Sequence, residues 1–389
     1  MHKLISIKIT NFRSFLSEQT LDFSKTNTMA IYGSNASGKS NTARALSFVK
    51  WFIINSTRAE IIKIPFEPFL LRSNNALPTS FEIELINDNK KLRYSFAFTS
   101  NEIISEKLID LSSQKEKIVF NRSHQTIENI STSKKFGFTE NLLNKTRKTS
   151  LLITKAREDN NEYANIVFDF LLHLNIIVCG TPELRQISVD LLKHDPSMKE
   201  RVLKFLKNAD FWIRDIQIDE IDTPDEVIKN LPFREDLKKN FQKTVSITTT
   251  HSVRNDNDKI VSSTQLSLDG QESAGTRIIF DLSAILIHSI NQNSILYIDE
   301  FGLHLHPDIC LYILKQFKSN PNAQLIFNTH DDSLMNNLTR EDIVFIDKNQ
   351  AEESFITPLR NLSPRANDPF EKHYRKGLYG AKPIIKETD

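Results

Sequence analysis

One stretch near the start of the chain constrains its fold more than any other. Residues Ile31 to Asn41 read IYGSNASGKSN, which fits the phosphate-binding pattern of two glycines, a lysine and a hydroxyl residue at fixed spacing. Gly33 and Gly38 allow the backbone to turn with its N–H groups pointing inward, and a helix that begins near Lys39 adds its positive end to the same anion site. The pattern therefore predicts a cradle for a nucleoside triphosphate.

The sequence on either side of this loop supports the same prediction. Thr28–Tyr32 is typical of a buried strand, and Ser40–Trp51 carries apolar residues at helical spacing, so strand, loop and helix follow in the required order. Lys39 is expected on the β- and γ-phosphates, and Ser40 on Mg²⁺. A Gly-Lys-Ser surface loop without a ligand is the alternative. The residues predicted to contact the nucleotide here are Gly33, Ser34, Asn35, Ala36, Ser37, Gly38, Lys39, Ser40 and Asn41.

Composition limits the class of partner and the compartment. The chain has 389 residues, with 50 Lys and Arg against 49 Asp and Glu, so its net charge provides no overall attraction to nucleic acid or to an anionic membrane. Cys179 and Cys310 are isolated, which favours a reducing environment over a disulfide framework. There is no basic-then-apolar leader and no apolar run of about 18 residues. We therefore expect a cytoplasmic protein of two lobes without a membrane partner.

Short β-rich runs occur on both sides of the loop. Lys3–Thr10 alternates as a strand does, and Ser80–Ile86, Leu92–Phe98 and Glu102–Ile109 follow the loop helix with polar turns between them. We expect the last three runs to form an antiparallel meander that packs beside the nucleotide site.

The middle of the chain has a weaker pattern. Polar residues accumulate from Ser112 to Asn160, which is consistent with a mobile or partner-facing insert or with a solvated face. Helical spacing returns in Tyr163–Leu174 and in Pro182–Leu206, where Pro196 divides the segment into two helices. We interpret the chain as the N-terminal part of a nucleotide-binding head, a mainly helical partner-facing insert, and the C-terminal part of the head. These parts are residues 1–110, 111–243 and 244–389.

A pair of acids follows a predicted buried strand. Ser294–Glu300 contains four apolar residues and ends in two carboxylates, as a buried parallel strand would deliver them to its C-terminal edge. Asp299 is expected to hold Mg²⁺, directly or through water, and Glu300 to polarise the attacking water in line with the γ-phosphate. Without the phosphate loop, a solvated acidic turn would be the simpler interpretation.

A histidine ends a second run of this kind. Gln324–His330 is apolar until its polar end, and His330 stands where a neighbouring strand of the same sheet is expected to finish. We therefore predict that His330 reaches the γ-phosphate and the water. A structural histidine at a strand end is the alternative.

A serine and a glycine mark another candidate anion site. Ser273 and Gly275 lie in Leu268–Arg277, just before a predicted helix, and a Ser-x-Gly at a helix start can bind an anion. Because the chain already has a phosphate loop, we expect this second site to complete the site of another subunit.

Together these motifs resemble the ATP-binding cassette superfamily, in the branch of the SMC, RecF and OLD-type ATPases. Asn11–Ser14 is similar to the opening turn of that branch, which places Arg13 among the expected nucleotide-binding residues. The resemblance implies an α/β fold, namely an ABC-type P-loop ATPase head with a mixed sheet, an antiparallel β lobe and a mainly helical insert. The Walker A, Walker B, switch-histidine and signature motifs match, in that order, Gly33–Ser40, Asp299–Glu300, His330 and Ser273–Gly275.

The resemblance also implies a function. It predicts an ATP- and Mg²⁺-dependent ATPase, with Glu300 and His330 as its catalytic residues, that forms a head-to-tail homodimer or higher oligomer. The tail Tyr374–Pro383 and the Glu272–Thr276 form of the signature resemble compact ATPases of bacterial anti-phage and abortive-infection systems. OLD-type nucleases carry an acidic Toprim domain after the ATPase, for which little sequence follows His330. We therefore expect the effector, a nuclease or toxin, to be a separate protein.

Two alternatives stay open at this point. The chain could be a RecF- or SMC-like DNA repair or recombination ATPase, which would contact duplex DNA through Lys145, Arg147, Lys148 and Arg157. It could also be a stand-alone P-loop kinase or GTPase, which would need an acceptor pocket and no signature acting on a partner. Nucleic acid is thus a second candidate partner beside the effector.

Overall fold

The structure is a computed structural model, and it describes residues 1–73, 77–222, 243–365 and 368–382. The chain divides into two compact units, the larger of which contains the phosphate loop. The first unit comprises Met1–Val178, Ser289–Gly302 and Cys310–Asp389, and the second comprises Cys179–His288 and Leu303–Ile309.

A six-stranded sheet in the first unit carries the loop. Its strands are β3 (Thr28–Tyr32), β9 (Leu174–Val178), β13 (Ile295–Asp299), β14 (Gln324–Asn328), β15 (Ile343–Lys348) and β16 (Ser354–Pro358), numbered along the chain. Their order is β16-β15-β3-β14-β13-β9, and every neighbouring pair is parallel except β15 with β16. All residues of β3, β13 and β14 are buried, as expected for parallel strands covered on both faces. The carboxyl ends of these three strands therefore lie side by side.

An antiparallel sheet forms the rest of the β structure in the described part of this unit. Its strands are β1 (His2–Thr10), β2 (Gln19–Asp22), β4 (Thr79–Asn87), β5 (Lys90–Phe98), β6 (Ile103–Asp110), β7 (Lys117–Ser123) and β8 (Thr126–Glu128). They are ordered β2-β1-β4-β5-β6-β7-β8. The meander predicted from the sequence corresponds to β4, β5 and β6, and the mixed α/β fold is confirmed.

Helices separate several of the strands in chain order. The predicted helix after the loop is present and extends to Asn55, and the break predicted at Pro196 separates two helices. Within the described ranges, the α-helices are α1 (Lys39–Asn55), α2 (Ile130–Lys135), α3 (Glu140–Asn144), α4 (Leu152–Glu158), α5 (Glu162–Leu172), α6 (Pro182–His194), α7 (Met198–Asn208), α8 (Ala274–Asn291), α9 (Pro307–Lys318) and α10 (Phe370–Arg375).

An aromatic cluster fixes the loop helix α1 against the antiparallel sheet. The ring of Phe48 lies 5.6 Å from that of Phe81 and 5.3 Å from that of Phe98, measured between centroids. Phe52, one turn further along α1, lies 5.8 Å from Phe96. Each such pair contributes about 0.5–1.5 kcal/mol beyond the burial of its area. The helix that begins at the phosphate loop is therefore held in place by the antiparallel sheet.

The segment Ser112–Asn160, in which most charged side chains are exposed, contains one buried polar cluster. Arg122 is fully buried and donates from Nη1 to Glu106 Oε2 at 3.2 Å. The Glu106 carboxylate also accepts hydrogen bonds from the N–H groups of Leu152 (2.7 Å) and Ile153 (2.9 Å), which begin α4. Arg122 is thus a buried charged residue of this segment, whereas most of its other charged side chains, such as Lys115, Lys145 and Lys148, are exposed.

The second unit contains an antiparallel sheet and an ion pair between helices. Its described strands are β10 (Asp215–Asp222), β11 (Lys243–Arg254) and β12 (Ile260–Ser267), in that order. Arg185 on α6 pairs with Asp281 on α8 and, at 2.7 Å, with Asp269. Burial raises the pKa of Asp281, and Arg185 opposes that rise.

The boundaries of the two units differ from the predicted boundaries at residues 110 and 243. Residues 111–178 belong to the first unit, and the second unit begins at Cys179. The three-part division stays a proposal, and its boundary at 243 adjoins residues 223–242, which lie outside the described residues. No helix among the residues that the structure describes is long and apolar enough to cross a membrane.

Candidate functional site: a phosphate-loop cavity

The loop between β3 and α1 has a shape that requires glycine at two positions. Gly38 has a φ of 109°, a left-handed conformation that disfavours a side chain. A Cβ on Gly38 would lie 2.5 Å from Ser354 Oγ and 2.7 Å from Ser14 Oγ. A Cβ on Gly33 would overlap the carbonyl oxygen of Ile346. The loop can therefore close tightly, with its backbone free to face an anion.

A cavity of about 300 Å³ lies against this loop. It is lined by Asn35–Asn41 together with Glu300, Asn328 and His330. The loop, the strand that ends in paired acids and the strand that precedes His330 thus converge at one place. Gly33 and Ser34, which were also predicted to contact the nucleotide, do not line this cavity. Their carbonyl oxygens accept hydrogen bonds from Lys39.

Lys39 is a buried cation within the loop. Its Nζ donates to the carbonyl oxygens of Gly33 at 2.8 Å and Ser34 at 2.9 Å. Lys39 as a whole is 7% exposed. Burial lowers the pKa of Lys39, while Asp299 and Glu300 oppose that shift. Among the ion pairs of the described residues none includes Lys39. Its charge is therefore available to an anionic ligand that would replace the two carbonyl groups.

A hydrogen-bond network orders the acidic end of β13. Ser40 Oγ donates to Asp299 Oδ1 at 3.1 Å, and Asn328 Nδ2 donates to the same oxygen. Asn328 Oδ1 in turn accepts a hydrogen bond of 2.8 Å from the N–H of Glu300. Glu300 has a φ of 61°, an uncommon conformation for a residue with a side chain. Asn328 therefore holds both acids, one through its carboxylate and the other through its backbone.

Asn328 was not among the predicted site residues. The signal for it was a polar side chain at the end of an apolar run, two residues before His330. The register of the parallel strands pairs Ile298 with Phe327, so Asp299 and Asn328 follow as neighbours.

The residues at this position fit Mg²⁺ and a nucleotide. The Ser40 hydroxyl and the Asp299 carboxylate are oxygen ligands of the kind that Mg²⁺ prefers, and they lie within hydrogen-bond distance of each other. Mg²⁺ bound there would neutralise part of the phosphate charge. Lys39 and the N–H groups at the start of α1 would hold the phosphates themselves.

His330 lines the same cavity and is exposed to solvent. Partial burial lowers the pKa of His330, the positive charge of Lys39 lowers it further, and Glu300 partly opposes both. The imidazole is therefore neutral at neutral pH, and it can accept or donate a hydrogen bond there.

Arg13 lines a different cavity, next to the first. This second cavity, of about 510 Å³, shares Asn41 with the first and is also bordered by Phe66, Glu67 and Leu70. The Arg13 guanidinium forms an ion pair of 2.5 Å with the Glu67 carboxylate. The structure thus places Arg13 beside the loop but outside the cavity that holds Lys39.

The predicted signature residues belong to the second unit. Ser273 lies exposed at the start of α8, where its Oγ accepts a hydrogen bond of 3.1 Å from the N–H of Thr276. A Cβ on Gly275 would lie 3.1 Å from the carbonyl oxygen of His304, so little room exists for a larger residue. This helix start has no acidic residue in its first turn, which leaves it suited to an anion.

The structure describes most of the tail motif Tyr374–Pro383. Tyr374 and Phe345 stack with 5.4 Å between ring centroids, which attaches α10 to β15. Pro383, the last residue of the motif, lies outside the described residues.

Comparisons with known proteins place these observations in a family. No curated protein matches the chain. Among solved structures, an SMC head bound to the C-winged helix domain of ScpA is 12% identical, with 91% of this chain and 97% of that chain covered and a TM-score of 0.49. The SMC head domain from Thermotoga maritima is 14% identical, with coverage of 92% and 98% and a TM-score of 0.45. An Smc head domain with an extended coiled coil, bound to the C-terminal domain of ScpA derived from Pyrococcus furiosus, is 12% identical, with coverage of 93% and 98% and a TM-score of 0.45.

A family model covers most of the chain. Its description is "AAA domain, putative AbiEii toxin, Type IV TA system", and it matches residues 29–336. That span contains the phosphate loop, the paired acids and His330, and the match confirms the recognition of an ABC-type ATPase head from these motifs. The chain belongs to this AAA-domain family.

Proposed function

We propose that this protein binds and hydrolyses ATP between two copies of its head, and that it regulates a separate effector in bacterial anti-phage defence. The observation that carries the catalytic part is the convergence of Lys39, Ser40, Asp299, Glu300 and His330 on the phosphate-loop cavity and its rim. A buried, unpaired cation beside a magnesium-type donor pair and a carboxylate is the set that phosphoryl transfer to water needs.

Each residue has a distinct role in this proposal. Lys39 binds the phosphates, and Ser40 and Asp299 hold Mg²⁺. The Glu300 carboxylate accepts a proton from the attacking water, and neutral His330 positions that water and the γ-phosphate. Asn328 keeps Asp299 and Glu300 in place.

The dimeric part rests on the signature residues. Ser273 is exposed at a helix start that favours anions, and the chain already has a phosphate loop. We therefore infer that Ser273 and Gly275 contact the γ-phosphate bound to a second copy.

Sedimentation of Glu300→Gln, with and without ATP, tests the dimer. We expect ATP to convert this slow-hydrolysing variant into a dimer or a higher oligomer, and the added substitution Ser273→Arg to prevent the conversion without loss of ATP binding. A monomer in both conditions would contradict the head-to-tail site and favour a stand-alone P-loop kinase or GTPase.

The defence role is supported by the family description, which names a putative AbiEii toxin and a type IV toxin–antitoxin system. Purification of the native complex from its host tests it, and an effector recovered at fixed stoichiometry is the expected result.

The duplex-DNA alternative depends on basic residues that have other contacts. Arg147 Nη2 donates to the carbonyl oxygen of Arg58 at 2.6 Å, and the Arg157 guanidinium lies 5.7 Å from the centre of the Phe168 ring. These contacts weaken the case for a DNA-binding face there. Recovery of the chain alone, with salt-sensitive duplex binding that charge reversal at Arg147 and Lys148 abolishes, would favour the alternative.

A further inference from the structure

The second unit contains a cavity that the proposed ATPase function does not use. It has a volume of about 1000 Å³ and lies between α7, β11 and the segment that leads into β10. We call it the basic pocket, because four of its lining residues are Lys204, Lys207, Arg214 and Arg254. Its size is at the upper end of the range for ligand sites, about 300–1000 Å³.

Within the part of the chain that the structure describes, no ion pair neutralises the cations of the basic pocket. Lys204, Lys207 and Arg214 are exposed, and none of them forms an ion pair within the described part of the chain. The Arg254 guanidinium donates to a backbone oxygen, that of Asp258, at 2.6 Å, and forms no ion pair with another described residue. Among the described residues that line the pocket, Glu200 is the one acid. In a chain with balanced overall charge, such a local excess favours an anionic ligand.

An exposed indole distinguishes this pocket from a simple anion site. Trp212 is 68% exposed, and its Nε1 donates to Asp210 Oδ1 at 2.9 Å, which restrains the ring. Leu203 and Ile213 provide apolar surface in the same lining. A restrained, exposed aromatic ring beside lysines and arginines provides a stacking surface for a flat group that carries phosphate.

We propose that the basic pocket binds unpaired nucleobases and their neighbouring phosphates, as a single-stranded nucleic acid or a free nucleotide presents them. A base stacks on Trp212, and Lys204, Lys207, Arg214 and Arg254 contact the phosphates. Duplex DNA does not fit this description, because its bases are already stacked. An acidic peptide would use the cations but not the indole. The proposal is independent of ATP hydrolysis at the phosphate loop.

The chain contains only two tryptophans, which makes the stacking directly measurable. In the full-length variant Trp51→Phe, Trp212 is the sole source of tryptophan fluorescence. We expect quenching on titration with a thymidine oligonucleotide of about 12 residues, within the range of about 4–16 nucleotides that one single-strand site covers. The affinity should fall as salt rises, with a log–log slope of about −0.7 for each phosphate contacted.

Substitutions separate the stacking from the charge. By fluorescence anisotropy of the labelled oligonucleotide, Trp212→Ala should weaken binding about tenfold or more, and Trp212→Phe should restore most of it. The pair Lys204→Glu and Lys207→Glu should weaken binding at least as much and reduce the salt slope. Lys259→Glu, in the turn after β11 and outside the pocket lining, is the control for a single charge reversal and should bind as the parent does. Unchanged ATP binding and thermal unfolding would show that the variants are folded.

The same titrations decide the source of the ligand. Thymidine monophosphate that binds as tightly as the oligonucleotide would support a free nucleotide, and weaker binding of the monophosphate would support a strand. The proposal is overturned if Trp212 is not quenched, if Trp212→Ala binds the oligonucleotide as the parent does, or if a glutamate-rich peptide binds equally well without dependence on Trp212.

Discussion

Replacement of Asn328 by alanine tests the organisation of the site most specifically. Asn328 is 2% exposed; its Nδ2 donates to the Asp299 carboxylate, and its Oδ1 accepts from Glu300 N at 2.8 Å. A hydrogen bond to a charged group contributes about 1.5–3 kcal/mol. If the transition state loses about 2 kcal/mol of the stabilisation that these hydrogen bonds provide, kcat falls about 30-fold. ATP binding, which depends on Lys39 and the loop, should change only a few-fold.

The assay is steady-state phosphate release together with equilibrium ATP binding. Asn328→Asp keeps an acceptor for Glu300 N but places a second carboxylate beside Asp299, so we expect it to hydrolyse more slowly than the parent at any Mg²⁺ concentration. Asn55→Ala, which removes another buried asparagine on the far end of α1, is the matched control and should retain the parental rate. Parental hydrolysis by Asn328→Ala would refute the reasoning.

Three other predictions concern charged groups. Lys39→Ala should abolish the rise in unfolding temperature that ATP produces in the parent, and persistence of that rise would exclude Lys39 as the phosphate ligand. Because burial and Lys39 lower the pKa of His330, the imidazole is neutral above pH 6.5, so the limb of the pH–rate profile that His330→Asn removes should have its midpoint below 6.5; a midpoint above it would contradict the assignment. Glu106→Gln leaves Arg122 buried without its charge partner and should lower stability by about 3–5 kcal/mol in chemical denaturation, with part of the loss recovered when Arg122→Met is added.

The parts of the site that could be predicted are those encoded by short patterns. The phosphate loop combines two glycines, a lysine and a serine between an apolar run and an amphipathic helix, and each feature is local. The paired acids and His330 were predicted in the same way, because buried parallel strands are continuous apolar runs whose polar ends meet at one edge. Their convergence on one cavity follows from the order β3-β14-β13.

Other parts of the fold and of the site depend on contacts between residues far apart in the chain, which no local sequence pattern predicts. The role of Asn328 depends on the register between β13 and β14. The burial of Arg122 with Glu106 could not be predicted, because Arg122 lies in the polar stretch Ser112–Asn160 and Glu106 in the predicted strand Glu102–Ile109, and no local pattern links the two. The basic pocket joins α7 to β11, which are distant in sequence. Such long-range contacts are determined by packing, and no local pattern reports them.

The measurement that tests the central claim most directly is ATP hydrolysis by Glu300→Gln, with bound ATP quantified in the same preparation. The substitution removes the proposed general base but keeps the size of the side chain and the backbone hydrogen bond to Asn328. We predict a rate reduced roughly 10²-fold or more, with ATP and Mg²⁺ still bound. Hydrolysis at the parental rate, or loss of ATP binding together with hydrolysis, would contradict the assignment of Glu300 as the base.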